Sequence, residues 1–188
     1  LSYRIALLGH DARLVACLAF LAMHLPARAH LLLELDLKSW LLIPSFVLGI
    51  ASSLLTLRWT AAGAVTPARM RLSILVDALI VHVSLGAAVA WPHAHYAGLI
   101  REPEHVIVYL AVIGAGIRLS ERGALAGAAI HGVGLAALLA FDRHNGARIT
   151  YSAMEVVFSA VFLVVAAIIS YSIAFRTRDL VLRGANAA

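Results

Sequence analysis

The sequence predicts an all-α membrane protein: a single domain, residues 1–188, built as a bundle of six transmembrane helices with both termini in the cytoplasm. Composition is the first support, since 62% of the residues are hydrophobic and 13% are charged, and the mean hydropathy is +0.92. A soluble domain is nearer half apolar and a quarter charged. The other supports are six successive apolar segments and an unequal distribution of basic residues across the predicted membrane.

Each apolar segment is long enough, or nearly so, to cross about 30 Å of hydrocarbon as a helix. The six segments comprise residues 13–25, 40–57, 71–91, 105–119, 123–141 and 150–175. Asp11 and Arg13 interrupt the first segment, and Pro26 ends it. The third segment has a charged start and a Trp-Pro exit, as membrane-spanning helices often do.

The basic residues set the predicted orientation. With a cytoplasmic N-terminus, ten of the 15 basic residues lie inside and five lie outside, which favours this orientation. The outer five are Arg28, Lys38, Arg101, Arg143 and Arg148. The outer loops also hold five of the ten acids, including Asp142. We therefore attribute the net charge of +5 to basic residues that orient the chain in the membrane. We expect a lipid bilayer as partner and no nucleic acid.

Two of the nine histidines, His82 and His131, lie deep in predicted spans. Their depths follow from the distance along the helix to the basic residue at the inner end of each span, which is Arg71 for His82 and Arg122 for His131. At about 1.5 Å per residue, the depths are about 16 and 14 Å. The third and fifth helices run in the same direction, so His82 and His131 are predicted to face each other near the mid-plane.

A second pair of histidines repeats the spacing, because His95 and His144 each follow the deep histidine of their segment by 13 residues. Two such pairs suit two b-type haems, each iron taking an imidazole from either side. The spacing and topology resemble the core of the respiratory cytochrome b family. One departure is that this spacing turns a straight helix so that the two rings lie about 140° apart. His93, which follows His82 by about three helical turns and lies nearly on its face, is an alternative to His95.

Two other interpretations of the histidines stay open. A divalent metal on the outer face would use some of His24, His93, His95, His105 and His144. Alternatively, the histidines are structural and hydrogen-bond across helices.

Three charged residues are candidates for a structural latch. Asp77 lies about 9 Å beyond Arg71 along the third helix, and Arg118 lies near the inner end of the fourth. Their predicted ion pair would satisfy both charges and hold the two helices together. Glu155 begins the sixth segment near the outer face. A histidine or arginine partner there would connect the outer face to the last helix.

The bundle, the Asp in Leu75-Val-Asp-Ala-Leu79 and the run Gly114-Ala-Gly-Ile-Arg-Leu-Ser120 together resemble the six-helix membrane anchors of bacterial class III adenylyl cyclases. The chain is also similar to membrane input domains of quorum-sensing hybrid histidine kinases. The resemblance covers roughly residues 69–178. It implies a receptor or regulator in the bacterial inner membrane, usually a homodimer, with catalysis in a following cytoplasmic domain.

Helix-forming sequence continues after Phe175, so we expect residues 176–188 to begin a signalling helix that leads to an effector domain. The chain itself has no nucleotide-binding loop, phospho-acceptor box or paired metal-binding aspartates, and we expect no catalytic residue in it. The first hypothesis is a sensor, haem-loaded or not, that couples a redox, quinone or apolar-ligand signal to a cyclase or kinase domain. The alternatives are an electron-transfer cytochrome b subunit and a cofactor-free receptor for a lipid-like signal.

Overall fold

A computed structural model describes residues 18, 37–64, 66–92, 94–116, 121–145 and 149–186. Within these ranges all regular elements are helical. The α-helices are α1 (Leu37–Ala61), α2 (Pro67–Ala90), α3 (Val106–Gly116), α4 (Glu121–His144) and α5 (Ala153–Asn186), and two single 3₁₀ turns, Leu99–Arg101 and Pro103–His105, precede α3. Of the first predicted segment, only Leu18 is described, and it is helical.

Three of the described helices are long and apolar enough to cross a membrane, namely Pro67–Ala90, Glu121–His144 and Ala153–Leu180. Together with the absence of strands from the described ranges, they confirm an all-α membrane protein. The six-span count and the orientation stay predictions. We call the end of the bundle that holds residues 94–105 and 149–155 the outer end, and the opposite end the inner end, after the predicted orientation.

The five later segments of the prediction match α1 to α5 in order. Helix α3 has 11 described residues, Val106–Gly116, and residues 117–119, which end the predicted segment, lie outside the described ranges. Helix α5 has 34 residues and continues to Asn186, beyond the apolar segment that ends at Phe175, as the helix-forming sequence after Phe175 predicts.

Local sequence signals explain where α2 and α5 begin. Thr66 caps α2, its side chain accepting from the Arg69 amide at 3.3 Å, and Pro67 occupies the first turn, where its missing amide hydrogen costs nothing. Ser152 and Glu155 form a capping box at the start of α5. The Glu155 amide donates to Ser152 Oγ at 3.2 Å, and the Ser152 amide donates to Glu155 Oε2 at 2.8 Å.

The helices pack so that α4 is shared by most of the bundle. Helix α2 packs against α1 and α4, α3 packs against α4 and α5, and α4 and α5 also contact each other. The main core cluster lies towards the outer end and comprises Val81, Leu85, Val89, Leu99, Val108 and Leu135. At the crossing of α3 and α5, a side chain on Gly116 would overlap the Ser170 backbone. These contacts fix the relative positions of α2, α4 and α5.

Helix α5 exposes an unusually large apolar surface along its length. Thirteen of its large hydrophobic residues are exposed. An apolar surface of this size is unfavourable in water, and the hydrocarbon of a membrane accommodates it. They are Met154, Val156, Val157, Phe158, Val161, Phe162, Val164, Val165, Ile168, Ile169, Tyr171, Phe175 and Leu180. The small polar residues Ser159 and Ser170 instead face the bundle and are buried. Ala166 and Ala174 are buried there too, so α5 directs mostly small side chains towards the protein and large apolar side chains towards its surroundings.

Candidate functional site

The structure brings His82 on α2 and His131 on α4 into direct contact, as their equal predicted depths indicate. Their ring centroids are 5.2 Å apart and the ring planes differ by 23°, so the imidazoles stack. His131 is 1% exposed. His82 Nδ1 lies 2.7 Å from the Ala78 carbonyl oxygen. A carbonyl only accepts, so His82 Nδ1 carries the hydrogen in a neutral ring and Nε2 carries a lone pair.

The lone-pair nitrogen of His82 is buried against α4. Among the residues that the structure describes, His82 Nε2 has no hydrogen-bond partner. It faces Gly134, where a Cβ would overlap the His82 ring. Glycine at position 134 is therefore what allows the imidazole to reach the backbone of α4.

This arrangement does not fit a haem between the two rings. A bis-histidine haem needs a macrocycle between the ligand helices, with a nitrogen from each ring directed at one iron. Here the rings stack on each other, and the available nitrogen of His82 is directed at Gly134 rather than at a gap. The haem ligation that the sequence predicts for His82 and His131 is therefore not carried into the function proposed below, and an absorption spectrum tests it.

The outer pair of histidines lies at the surface. His95 follows α2 and His144 ends α4, and both are exposed. His144 Nδ1 lies 3.3 Å from the Ala140 carbonyl oxygen. His131 faces the interior while His144 faces outward, which agrees with the rotation of about 140° that their spacing produces along a helix.

The alternative metal site is only partly described, because His24 and His93 lie outside the described residues. His105 Nδ1 lies 2.7 Å from the Glu102 carbonyl oxygen, and its ring meets Tyr109 edge-on with centroids 5.4 Å apart. Within the described ranges, no three His, Cys, Asp or Glu side chains are grouped so that they would hold a metal ion. The predicted Asp77–Arg118 latch is also only partly described. Asp77 is half-buried on α2, and Arg118 lies outside the described residues.

Glu155, the third latch candidate, has an arginine partner at the outer end. Arg101 Nε donates to Glu155 Oε1 at 2.6 Å and Arg101 Nη2 donates to Oε2 at 3.1 Å. The same guanidinium donates to the carbonyl oxygens of Ala97 at 2.8 Å and Thr150 at 3.2 Å. This two-pronged ion pair ties the turn before α3 to the first turn of α5.

Beside that ion pair lies a buried carboxylate that the sequence places only in an outer loop. Asp142 belongs to the last turn of α4 and is 2% exposed. Its Oδ2 accepts from Tyr96 Oη at 2.9 Å, from the Leu99 amide at 3.0 Å and from Tyr151 Oη. Tyr151 Oη also lies 2.7 Å from the Leu99 amide. We call Asp142, Tyr96, Leu99 and Tyr151 the outer cluster.

The outer cluster depends on a tight turn at Gly98. The φ of Gly98 is +118°, a region that L side chains rarely adopt, and a Cβ there would lie 2.9 Å from Tyr151 Oη and from Ile149 Cγ2. Burial raises the pKa of both Tyr96 and Tyr151 well above the ordinary value of 10.0, and the hydrogen bond to Asp142 raises it further. Both phenols therefore stay neutral donors to the carboxylate.

Helix α5 is also held near its inner end. Arg178 Nη1 lies 3.0 Å from Glu121 Oε1 at the start of α4, with the arginine 61% and the glutamate 24% exposed. Arg183 and Asp179 pair along α5 itself at 2.8 Å. Glu155 and Arg178 are about 35 Å apart along the helix. One helix thus connects two ion pairs separated by about the thickness of a hydrocarbon layer.

Sequence reasoning missed the outer cluster. It placed Asp142 only among the acids of the outer loops. The available signal was the position of Asp142 at the end of a span, nine residues before Tyr151, because an acid at that depth needs partners.

Comparison with known proteins gives no further assignment: no family matches the chain, and no curated protein or solved structure does.

Proposed function

We propose that this chain is the membrane-embedded regulatory domain of a signalling protein, in which α5 relays a change in the bundle to a cytoplasmic effector of the cyclase or kinase class. The observation that carries the proposal is the single, uninterrupted helix from Ala153 to Asn186, which is ion-paired to other elements at both ends. We place the domain in a bacterial inner membrane, as a homodimer, on the resemblance to cyclase anchors.

The length of α5 supports this role. About 20 residues are enough to cross the hydrocarbon, and α5 has 34. Its inner part carries Arg176, Arg178, Asp179 and Arg183, charges that belong in water or among lipid headgroups. A rigid helix that leaves the bilayer transmits a shift or rotation from one end to the other.

The ion pairs supply a way to hold α5 in one of two positions. Partly exposed ion pairs of this kind contribute only modestly to stability, because water and salt screen them. Contacts of that size hold one arrangement without making it irreversible, so a signal with a small differential affinity for two states is enough to change their populations. The poor fit of a haem favours this reading over electron transfer across the membrane.

Glu155→Gln tests the relay. Glutamine keeps the capping-box geometry of α5 but removes the charge that Arg101 binds. Spin labels at Ala62→Cys and Leu180→Cys, with Cys17→Ser, report the position of the inner end of α5 relative to α1 in lipid nanodiscs. We expect the distance distribution to shift or broaden by at least about 1–2 Å, the size of helix shifts in switching proteins.

Glu104→Gln is the matched control, because Glu104 is an exposed outer acid in the 3₁₀ turn before α3. It removes the same charge and leaves the Arg101–Glu155 pair intact, so the distribution should match the wild type. Arg101→Gln should reproduce the effect of Glu155→Gln. An inner end that stays in place in both Arg101→Gln and Glu155→Gln would refute the relay.

A further inference from the structure

We propose that the inner end of the α1–α2 hairpin binds the phosphate headgroup of an anionic phospholipid. The site comprises three arginines, Arg58, Arg69 and Arg71, and the indole of Trp59. Two observations carry the proposal. The arginines have no acidic partner among the residues that the structure describes, and exposed leucines continue from them into the membrane layer. The site is independent of the α5 relay.

The three arginines lie at the same end of one helical hairpin. Helix α1 ends at Ala61, and Arg58 lies about 4.5 Å before that end. Helix α2 begins at Pro67, and Arg69 and Arg71 lie about 3 and 6 Å from that start. The two helices pack against each other. The hairpin therefore carries three positive charges close to its turn, at the level where a spanning helix leaves the hydrocarbon for the headgroups.

Arg69 is held in place by contacts within the hairpin. Its guanidinium carbon lies 4.9 Å from the centroid of the Trp59 ring, which is close enough for a cation–π contact. Arg69 Nη1 donates to the Ala64 carbonyl oxygen. A guanidinium has several more N–H donors, and arginine binds phosphate with two parallel hydrogen bonds. Trp59 is half-buried, and an indole at this position anchors the hairpin at the headgroup level.

No acidic side chain near the turn neutralises these arginines. From residue 37 to residue 76 the chain contains no Asp or Glu. On α4, which packs against α2, Glu121 lies near the inner end, and it is already bound to Arg178 at 3.0 Å. Arg58 and Arg71 are exposed, and neither has an ion pair within the described ranges. A lipid phosphate supplies the missing negative charge.

The surface next to the arginines suits the acyl chains of a lipid. Leu54 and Leu55 lie one turn from Arg58 on the same face of α1. Leu75 lies one turn from Arg71 on the same face of α2. The exposed fractions of these leucines lie between 44% and 54%. From the turn of the hairpin towards the membrane interior, positive charge is thus followed by apolar surface, which matches the order of headgroup and acyl chain in a phospholipid.

Quenching of Trp59 fluorescence by brominated lipids tests the site. The other two tryptophans, Trp40 and Trp91, lie at the opposite ends of α1 and α2, so Trp40→Phe/Trp91→Phe leaves Trp59 as the single reporter. In vesicles of equal parts phosphatidylglycerol and phosphatidylcholine, bromines on one lipid at a time measure which lipid lies beside Trp59. We expect phosphatidylglycerol there at least about fivefold more often than phosphatidylcholine, which is the effect of one arginine near a membrane surface.

Substitutions in the same single-tryptophan protein show whether the preference belongs to this site. Arg58→Gln and Arg71→Gln should each lower it, and the double variant should remove it. Arg176→Gln is the matched control, because Arg176 is exposed near the inner end of α5, which packs against α3 and α4. It removes the same charge and should leave the preference unchanged. Equal quenching by the two lipids would overturn the site, as would a loss in Arg176→Gln as large as that in Arg58→Gln.

Inorganic phosphate distinguishes a lipid headgroup from a free anion. Phosphate should lower the preference no more than chloride does at the same ionic strength, and a preference that phosphate alone abolishes would overturn the assignment to a lipid. Native mass spectrometry repeats the comparison on the wild type, so it decides the question even where a variant does not fold. Phosphatidylglycerol should stay bound after phosphatidylcholine has dissociated, and equal retention of the two lipids would overturn the site and leave the α5 relay standing.

Discussion

Removing the Asp142 carboxylate should destabilise the protein more than removing any other acid that the structure describes. Asp142→Ala deletes the shared acceptor of Tyr96 Oη, Tyr151 Oη and the Leu99 amide. Hydrogen bonds to a charged group contribute about 1.5–3 kcal/mol each. The three hydrogen-bond losses do not add fully, because the Leu99 amide still has Tyr151 Oη as an acceptor and the phenols can turn towards water. Breaking a buried charged network by removing one member costs about 3–5 kcal/mol, and we expect Asp142→Ala to fall in that range.

Thermal unfolding in detergent, followed by circular dichroism, measures the effect. For a chain of this length, about 1 kcal/mol corresponds to about 2–4 °C in Tm, so Asp142→Ala should melt about 6–20 °C below the wild type. Asp179→Ala is the matched control. Asp179 is 45% exposed and pairs with Arg183 one turn away on the same helix, so its loss should cost about 0.5 kcal/mol or less.

A double-mutant cycle shows whether the loss comes from the outer cluster itself. Tyr96→Phe should destabilise the wild type and have much less effect in Asp142→Ala, because the acceptor of its hydroxyl is already gone. Equal effects in both backgrounds would refute the reasoning, as would an Asp142→Ala protein that melts within about 2 °C of the wild type.

Two further predictions concern the histidine pair and the tyrosines of the outer cluster. The purified protein should show no Soret band before or after reduction, because the stacked His82 and His131 rings leave no gap for a macrocycle; a Soret band that disappears in His82→Gln would contradict this. Since the pKa values of Tyr96 and Tyr151 are raised in the folded state, the free energy of unfolding should fall as the pH rises above the ordinary tyrosine value of 10.0. Melting curves between pH 9 and 11 should show this loss in the wild type and not in the double variant Tyr96→Phe/Tyr151→Phe; identical slopes would exclude the raised pKa values as its cause.

The sequence was sufficient to predict the features that depend on a single helix, namely its length and the depth of a residue along it. Apolar length predicted the long spans, and residue counting from the basic ends predicted that His82 and His131 lie at one level. Both succeed because the rise per residue of a helix is nearly constant. The same arithmetic explains why His144 lies on a different face from His131.

The features that the sequence did not predict depend on how loops fold over helix ends. The burial of Asp142 requires the turn at Gly98 and the approach of Tyr151, and neither leaves a periodic pattern in the sequence. Stacked imidazoles and haem ligands give the same spacing in sequence, so only the position of the His82 ring against Gly134 distinguishes them.

Helix α4 connects the histidine pair to the outer cluster. His131 and Asp142 are about three helical turns apart, which brings them to within about 20° of the same face and about 16 Å apart along the axis. Both are buried, so this one face contacts α2 through His82 and the segment just before α5 through Tyr151. A straight helix that moves at His131 must also move at Asp142, because interfaces packed this closely switch between arrangements rather than stretch. A change in the spacing of α2 and α4 should therefore alter the hold of Asp142 on Tyr151, four residues before Glu155, and so reach the ion pair that holds the first turn of α5.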